Sequence, residues 1–330
     1  MKPEKGAVAV VGPGAIGGLL ADSLRRAGRR VILVTRDARA AGALRRGGFA
    51  ITGPSGRTRS FPRWEAAAPR LKKGRPLDCV LLCVKAPALP ETLRRLRAAA
   101  PKRAPSPGQR RFPPVEETVP AGPPVVCLLN GVGHDRPLRA AFGGRAVLGS
   151  CYIASTRTGP RALRHWGGNR ILLARTPRNA PAAEAAADIL RSAGWDVRLY
   201  ADEARLLWTK LVYNAAINPL GALLRKTNGE VASHPAMRQL LRAVSREAIA
   251  VARAEGHAPA VPGLEGRILR DCLLVPDQRS SMAQDLAAGR PTEADAILKP
   301  LILSGRRTGT PTPLLTPLYR MIKKLEEELR

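Results

Sequence analysis

The chain is poor in cysteine, histidine and aromatic residues, and short of acid. Its five cysteines are an odd number with no metal-ligand spacing, which argues against a disulfide framework and a zinc site. Cys79, Cys83 and Cys127 fall in apolar runs and Cys151 and Cys272 stand alone, so all five read as small buried residues. The four histidines, His134, His165, His234 and His257, are scattered. They suggest neither a metal cluster nor a Ser-His-Asp hydrolase, and no metal is expected. No apolar run is long enough to cross a bilayer, so no membrane partner is expected. The first residues lead straight into a strand without a signal-peptide pattern, which makes the expected location cytoplasmic.

The shortage of acid leaves 55 Lys and Arg against 26 Asp and Glu, a formal net charge of +29. Such an excess can serve nucleic acid or draw in anionic ligands. Here it is spread along the whole chain, aromatics make up 4%, and no nucleic-acid motif is present. No nucleic-acid partner is expected. The abundance of Ala, Arg, Gly and Pro fits a coding bias toward GC-rich codons, with attraction of anionic ligands as a secondary effect.

At 330 residues the chain can hold two domains with proper cores. Residues 1–200 alternate strands and helices, which predicts an α/β unit with a Rossmann-type, doubly wound parallel sheet. Residues 101–124 interrupt it with eight prolines among arginines and small residues, and read as a flexible insertion. Residues 201–330 carry helical periodicity only and predict an all-helical domain. The active site is then expected in the cleft between the two.

The strongest local signal is the apolar run 7–11 followed by Gly12-Pro13-Gly14-Ala15-Ile16-Gly17 and a helical pattern over 15–26. In a Gly-x-Gly-x-x-Gly turn between strand and helix, Gly12 permits the tight bend and Gly14 lets backbone approach a pyrophosphate. Gly17 lets helix and strand pack closely. The helix N-terminus then holds the phosphates. A second strand, 31–34, ends at Thr35-Arg36. A carboxylate there suits the ribose 2′-hydroxyl of NAD, and a cation suits the 2′-phosphate of NADP. Arg36 favours NADP; Asp37, one residue on, is the NAD-like alternative.

In the helical half, Lys210, Asn214 and Asn218 are spaced i, i+4 and i+8, so they share one face of an otherwise apolar helix. One reading is a polar stripe lining the cleft, a lysine to donate a proton and amides to hold a polar substrate. The other is an asparagine ladder to backbone with the lysine reaching out to solvent. Farther on, Ser280-Ser281-Met282-Ala283-Gln284-Asp285 precedes Thr292-Glu293. Taken alone, Ser281 could simply cap a helix.

Together with Val84-Lys85-Ala86, Asn130-Gly131-Val132-Gly133 and Asn228-Gly229-Glu230, these motifs in this order resemble the ketopantoate reductase (2-dehydropantoate 2-reductase) family over nearly the whole chain. The resemblance implies that residues 12–17 bind the pyrophosphate of NADPH and Arg36 its 2′-phosphate. Lys85, Asn130, Ser155 and Glu293 would also contact cofactor. Lys210 would be the proton donor, and Asn214, Asn218, Asn228 and Ser281 would hold the substrate together with it. Glu293 would orient Lys210 or the nicotinamide ribose. Gln278 departs from the pattern, standing where an asparagine is expected. The implied reaction is reduction of a small-molecule 2-keto acid, 2-dehydropantoate, to (R)-pantoate on the route to pantothenate and coenzyme A. The alternatives are a relative reducing another 2-keto acid, for which Gln278 speaks, and a non-catalytic NADP(H)-binding regulator. A homodimer through the C-terminal helices is possible on this reading.

Overall fold

The computed structural model describes residues 6–61, 63–64, 67–71, 76–99 and 122–329. Most of the proline-rich stretch, through residue 121, lies outside them.

Strand β1 (Ala7–Val11) enters the molecule fully buried. Its side chains alternate between two cores, Val8 and Val10 in one and Ala9 and Val11 in the other, as a period of two requires for a strand covered on both faces. It turns into α1 (Ala15–Arg26), which puts Leu19, Leu20 and Leu24 into the first core. Strand β2 (Val31–Val34) lies parallel to β1 and leads into α2 (Ala38–Gly47). The antiparallel pair β3 (Phe49–Thr52) and β4 (Thr58–Phe61) follows. Then come β5 (Ala67–Ala68), β6 (Leu77–Leu82), α3 (Leu89–Ala99), β7 (Val125–Cys127) and α4 (Asp135–Phe142).

The next two strands are long. β8 (Ala146–Gly159) and β9 (Ala162–Ala174) form an antiparallel hairpin, followed by α5 (Ala180–Ser192) and β10 (Asp196–Tyr200). The strand order is β4-β3-β9-β8-β7-β6-β1-β2-β5, with β10 also on β9. The expected parallel sheet is present from β5 to β8. The hairpin adds an antiparallel turn to it, because two residues between β8 and β9 can only join strands running in opposite directions.

The rest is helical: α6 (Glu203–Leu223), α7 (Asn228–Ser233), α8 (Pro235–Ala254), α9 (Leu264–Leu274), α10 (Ser281–Ala287), α11 (Ala294–Thr308) and α12 (Leu315–Glu328). Asp202 caps α6 by accepting from the Arg205 amide at 2.9 Å. α6 is buried nearly all round, and its Leu211, Val212, Ala215, Ala216 and Leu220 form the centre of a third core with α8, α9, α10, α11 and α12. A helix apolar on every side belongs in the middle of a bundle. Among the described residues, no helix is long and apolar enough to cross a membrane, and no group of three or more His, Cys, Asp or Glu could hold a metal ion.

Candidate active site

The glycine turn sits at the carboxyl end of β1. Gly12 has φ +84°, and a Cβ on Gly17 would lie 2.3 Å from the Gly12 carbonyl oxygen. Strand and helix can meet this closely only without a side chain at 17. By contrast, a Cβ on Gly14 would meet nothing within 4 Å, so this backbone faces open space. No side chain caps α1 and no acidic residue stands in its first turn. Its amides are therefore available to an anion, and the turn fits a pyrophosphate. Ser155, on β8, reaches the same place, its hydroxyl 3.3 Å from the Ala15 carbonyl.

At the end of β2 the roles of Arg36 and Asp37 separate. Asp37 is the N-cap of α2, its Oδ1 accepting from the Ala40 amide at 2.7 Å. That bond, then the Arg36 guanidinium, hold its carboxyl below the usual range. Arg36 pairs with the other oxygen at 3.1 Å and its side chain is 91% exposed. It can leave that contact for an incoming anion, whereas Asp37 is committed to its helix.

A continuous polar chain runs between the two halves. Glu293, just before α11 and buried, accepts from the Ala86 amide at 3.0 Å and from Asn130 Nδ2 at 2.9 Å. Asn130 Oδ1 in turn accepts from Asn214 Nδ2 on α6 at 3.1 Å. The approach depends on Gly131, φ +92°, where a Cβ would fall 2.4 Å from the Ala296 carbonyl oxygen. A second tie joins Lys85 to the buried Asp285 of α10, which also accepts from Arg290 at 3.1 and 3.2 Å. Thr156 of β8 accepts from Gln284 at 3.0 Å.

One helical turn beyond Asn214, Asn218 lies 3.5 Å from the Ser281 hydroxyl. Ser280, not Ser281, caps α10, its hydroxyl taking the Ala283 amide at 3.2 Å. Ser281 is exposed and free of that duty. Asn228 donates to Gln278 Oε1 at 3.3 Å, so the departing residue is the neighbour of a site asparagine. The Oδ1 of Asn228 is buried without a partner among the described residues. A buried acceptor left open is costly, and a ligand hydroxyl would satisfy it.

Lys210 stands apart from this chain. Its Nζ lies over two aromatic faces, 4.4 Å from the centroid of Tyr152 and 4.7 Å from that of Tyr213. Glu293 is occupied by Ala86 and Asn130, so of its two expected roles, orienting Lys210 or the nicotinamide ribose, the first is not filled by direct contact. The lysine is half-buried, and burial pushes its pKa down to about 8, with Cys151 and Asp271 pulling weakly the other way. Sequence reasoning missed both tyrosines. Tyr213, three residues after Lys210 on α6, carried a helical-spacing signal; Tyr152, on the distant strand β8, carried none.

Behind Glu293, Glu326 of α12 accepts from the Thr292 amide at 2.7 Å and its hydroxyl at 2.6 Å, and pairs with Lys323 at 2.6 Å. Burial pushes this carboxyl up, but the bonds from Lys323 and Thr292 outweigh it and hold it below the usual range. Glu326→Ala should therefore cost about 1–3 kcal/mol by orphaning buried donors, read as a lower urea midpoint. Because the native value is depressed, this stabilisation is present at neutral pH and is lost on acidification through that value. Two surface grooves, of about 370 Å³ around Arg246–Glu265 and about 540 Å³ between α6, α10 and α12, include no residue of the polar chain or of the lysine seat.

Comparison with known proteins agrees with this layout. The model of the ketopantoate reductase PanE/ApbA family matches residues 8–178, and that of its C-terminal region matches 203–326. A 2-dehydropantoate 2-reductase of Halobacterium salinarum is 26% identical over 97% of this chain and 99% of its own. Among solved structures, 2-dehydropantoate 2-reductase from Geobacter metallireducens superposes with a TM-score of 0.79 at 28% identity, covering 98% of this chain and 100% of that one. A D-mandelate dehydrogenase solved with NADH and anilino(oxo)acetate shares the fold, with a TM-score of 0.80 at 20% identity over 98% and 99% of the two chains. With both halves matched in order, this chain belongs to the ketopantoate reductase family.

Proposed function

We propose that the protein is an NADPH-dependent reductase of a small 2-keto acid, with 2-dehydropantoate as substrate and (R)-pantoate as product. The observation that carries this reading is the chain Ala86–Glu293–Asn130–Asn214. It binds the open glycine turn's half to the helix that bears Lys210. The fit of the cofactor rests on the uncapped α1, the open face at Gly14 and the exposed Arg36. Residues 12–17 would hold its pyrophosphate, and Lys85, Asn130, Ser155 and Glu293 would lie along it. When bound, NADPH supplies the hydride for the keto carbon.

The chain's own residues supply the rest. Lys210, with a pKa of about 8, is mostly an ammonium at neutral pH. It stabilises negative charge growing on the substrate's carbonyl oxygen and then gives that oxygen a proton. Asn214 and Asn218 offer amides along the same helix face, Asn228 its unpartnered Oδ1, and Ser281 an uncommitted hydroxyl to the carboxylate. Glu293 fixes Asn130 through a charge-assisted bond, which sets where Asn214 sits.

The test is purified protein with NADPH and a panel of 2-keto acids, followed by NADPH absorbance. Oxidation fastest with 2-dehydropantoate supports the proposal. Gln278 beside Asn228 favours the second reading, a different 2-keto acid, and faster turnover of such a compound would select it. Tight NADPH binding with no oxidation by any keto acid would overturn both in favour of a regulator.

A further inference from the structure

Lys210 is an ammonium without a carboxylate. Among the described residues it makes no salt bridge and no hydrogen bond, and its near neighbours are the faces of two rings. Tyr152 comes from β8 and Tyr213 from the next turn of α6. The rings stand edge to face, 6.1 Å between centroids and 85° apart. Such a pair presents a concave, electron-rich seat, and attraction of a cation to a ring face grows as water is removed.

We propose that Tyr152 and Tyr213 are positioning residues of the reaction, a two-ring seat that keeps the Lys210 ammonium charged while leaving its N–H donors free for the substrate oxygen. This rests on the reading of Lys210 as proton donor. A carboxylate would also hold the cation, but it would occupy those donors and compete with the developing oxyanion for the proton. A ring face attracts charge without taking a proton. Both tyrosine hydroxyls are pushed well above their usual range by burial, so the seat stays neutral where the lysine titrates.

The other titratable and charged groups around the seat are few. On β8, Cys151 is itself driven up to about 12 by burial. From α9 come Asp271, whose carboxylate is taken by Arg267 at 2.7 Å, and Cys272, also raised to about 12. Arg170 and Tyr200 are felt at Tyr152. None of these makes a direct ion pair with Lys210. Burial alone would drive the ammonium toward its neutral amine, and the rings are the groups in contact that oppose it.

The experiment compares Tyr152→Leu and Tyr213→Leu with Tyr152→Phe and Tyr213→Phe. Lys210 is titrated directly by NMR of 13C-labelled lysine in the ligand-free protein, its signal identified by its loss in Lys210→Arg. The basic limb of the kcat/KM profile is recorded in parallel. Each leucine variant should lower the Lys210 pKa by about one pH unit, since a desolvated ring contact carries about that much. Each phenylalanine variant should restore the wild-type titration. Should a leucine variant fail to fold, the methionine variant at the same position carries the same expectation. Leucine variants that leave the titration in place, or raise it as admitted water would, overturn the seat. So does a phenylalanine variant that shifts it as far as leucine does. Failure of the donor reading is distinct, since it shows as unchanged turnover in Lys210→Ala while the NMR titration still judges the rings.

Discussion

Lys210→Ala is expected to lower kcat by about two to four powers of ten, the range for a general acid that also stabilises developing charge, while NADPH still binds. The reasons are local. Among the described residues no Lys or Arg is hydrogen-bonded to Asn214 or Asn218, and these amides can donate hydrogen bonds but cannot release a proton at neutral pH. Lys85 and Arg290 are both engaged by Asp285. Lys210→Arg should not rescue the rate, because a guanidinium keeps its proton throughout the accessible range. The wild type should lose activity as pH rises through about 8, since the protonated lysine is the active form, and the alanine variant should lack that limb. Stopped-flow NADPH oxidation together with fluorescence titration of NADPH separates the chemical step from binding. A turnover within about threefold of wild type would remove Lys210 from the mechanism, since even a weak general acid contributes far more than that.

Much of the frame was legible because local rules govern it. The helix 15–26 and the strand 31–34 stand where the glycine turn and the β-branched run put them. The long helix from Glu203 follows from an apolar pattern behind an Asp cap. Only the apolar ends of the hairpin β8–β9, 146–153 and 171–174, carry a strand signal in the sequence. Between them Thr156, Arg157, Arg164 and His165 offer no alternation, and pairing between strands holds the segment extended. The helices 135–142 and 228–233 carry little signal of their own, being short and beginning at Asp135 and Asn228. Their order comes from docking onto neighbours rather than from propensity.

The site divides the same way. Spacing alone places Lys210, Asn214 and Asn218 on one helix face. Spacing cannot say what that face meets. Asn130 and Glu293 are 163 residues apart in sequence, and only the tertiary fold brings them together. The lysine illustrates the limit most sharply. Its place on the helix follows from periodicity, whereas the ring beneath it from β8 depends on how the hairpin crosses α6. The amide chain and the aromatic seat are thus neighbours with different tasks, one joining the halves and the other holding a charge.

Arg36→Glu is expected to weaken NADPH binding by about 10²–10³-fold and to invert the preference toward NADH. A 2′-phosphate held by a guanidinium fork involves one or two charge-assisted hydrogen bonds of about 1.5–3 kcal/mol each. Their loss, with repulsion added by the new carboxylate, gives that range. NADH carries a hydroxyl at the same place, which a glutamate can accept from, so its affinity should hold or rise slightly. Asp37 cannot substitute in the wild type because one oxygen caps α2 and the other faces Arg36. The fold should be unaffected, as the Arg36 side chain is almost wholly exposed and its carbonyl, which accepts from Arg95 at 3.0 Å, is retained. Salt adds an independent check. Wild-type NADPH binding should weaken with ionic strength more steeply than NADH binding, and the difference should reverse in the variant, because salt then screens a repulsion between the new carboxylate and the 2′-phosphate instead of an attraction. An unchanged NADPH to NADH ratio in Arg36→Glu would mean that the adenosine ribose does not lie at the end of β2.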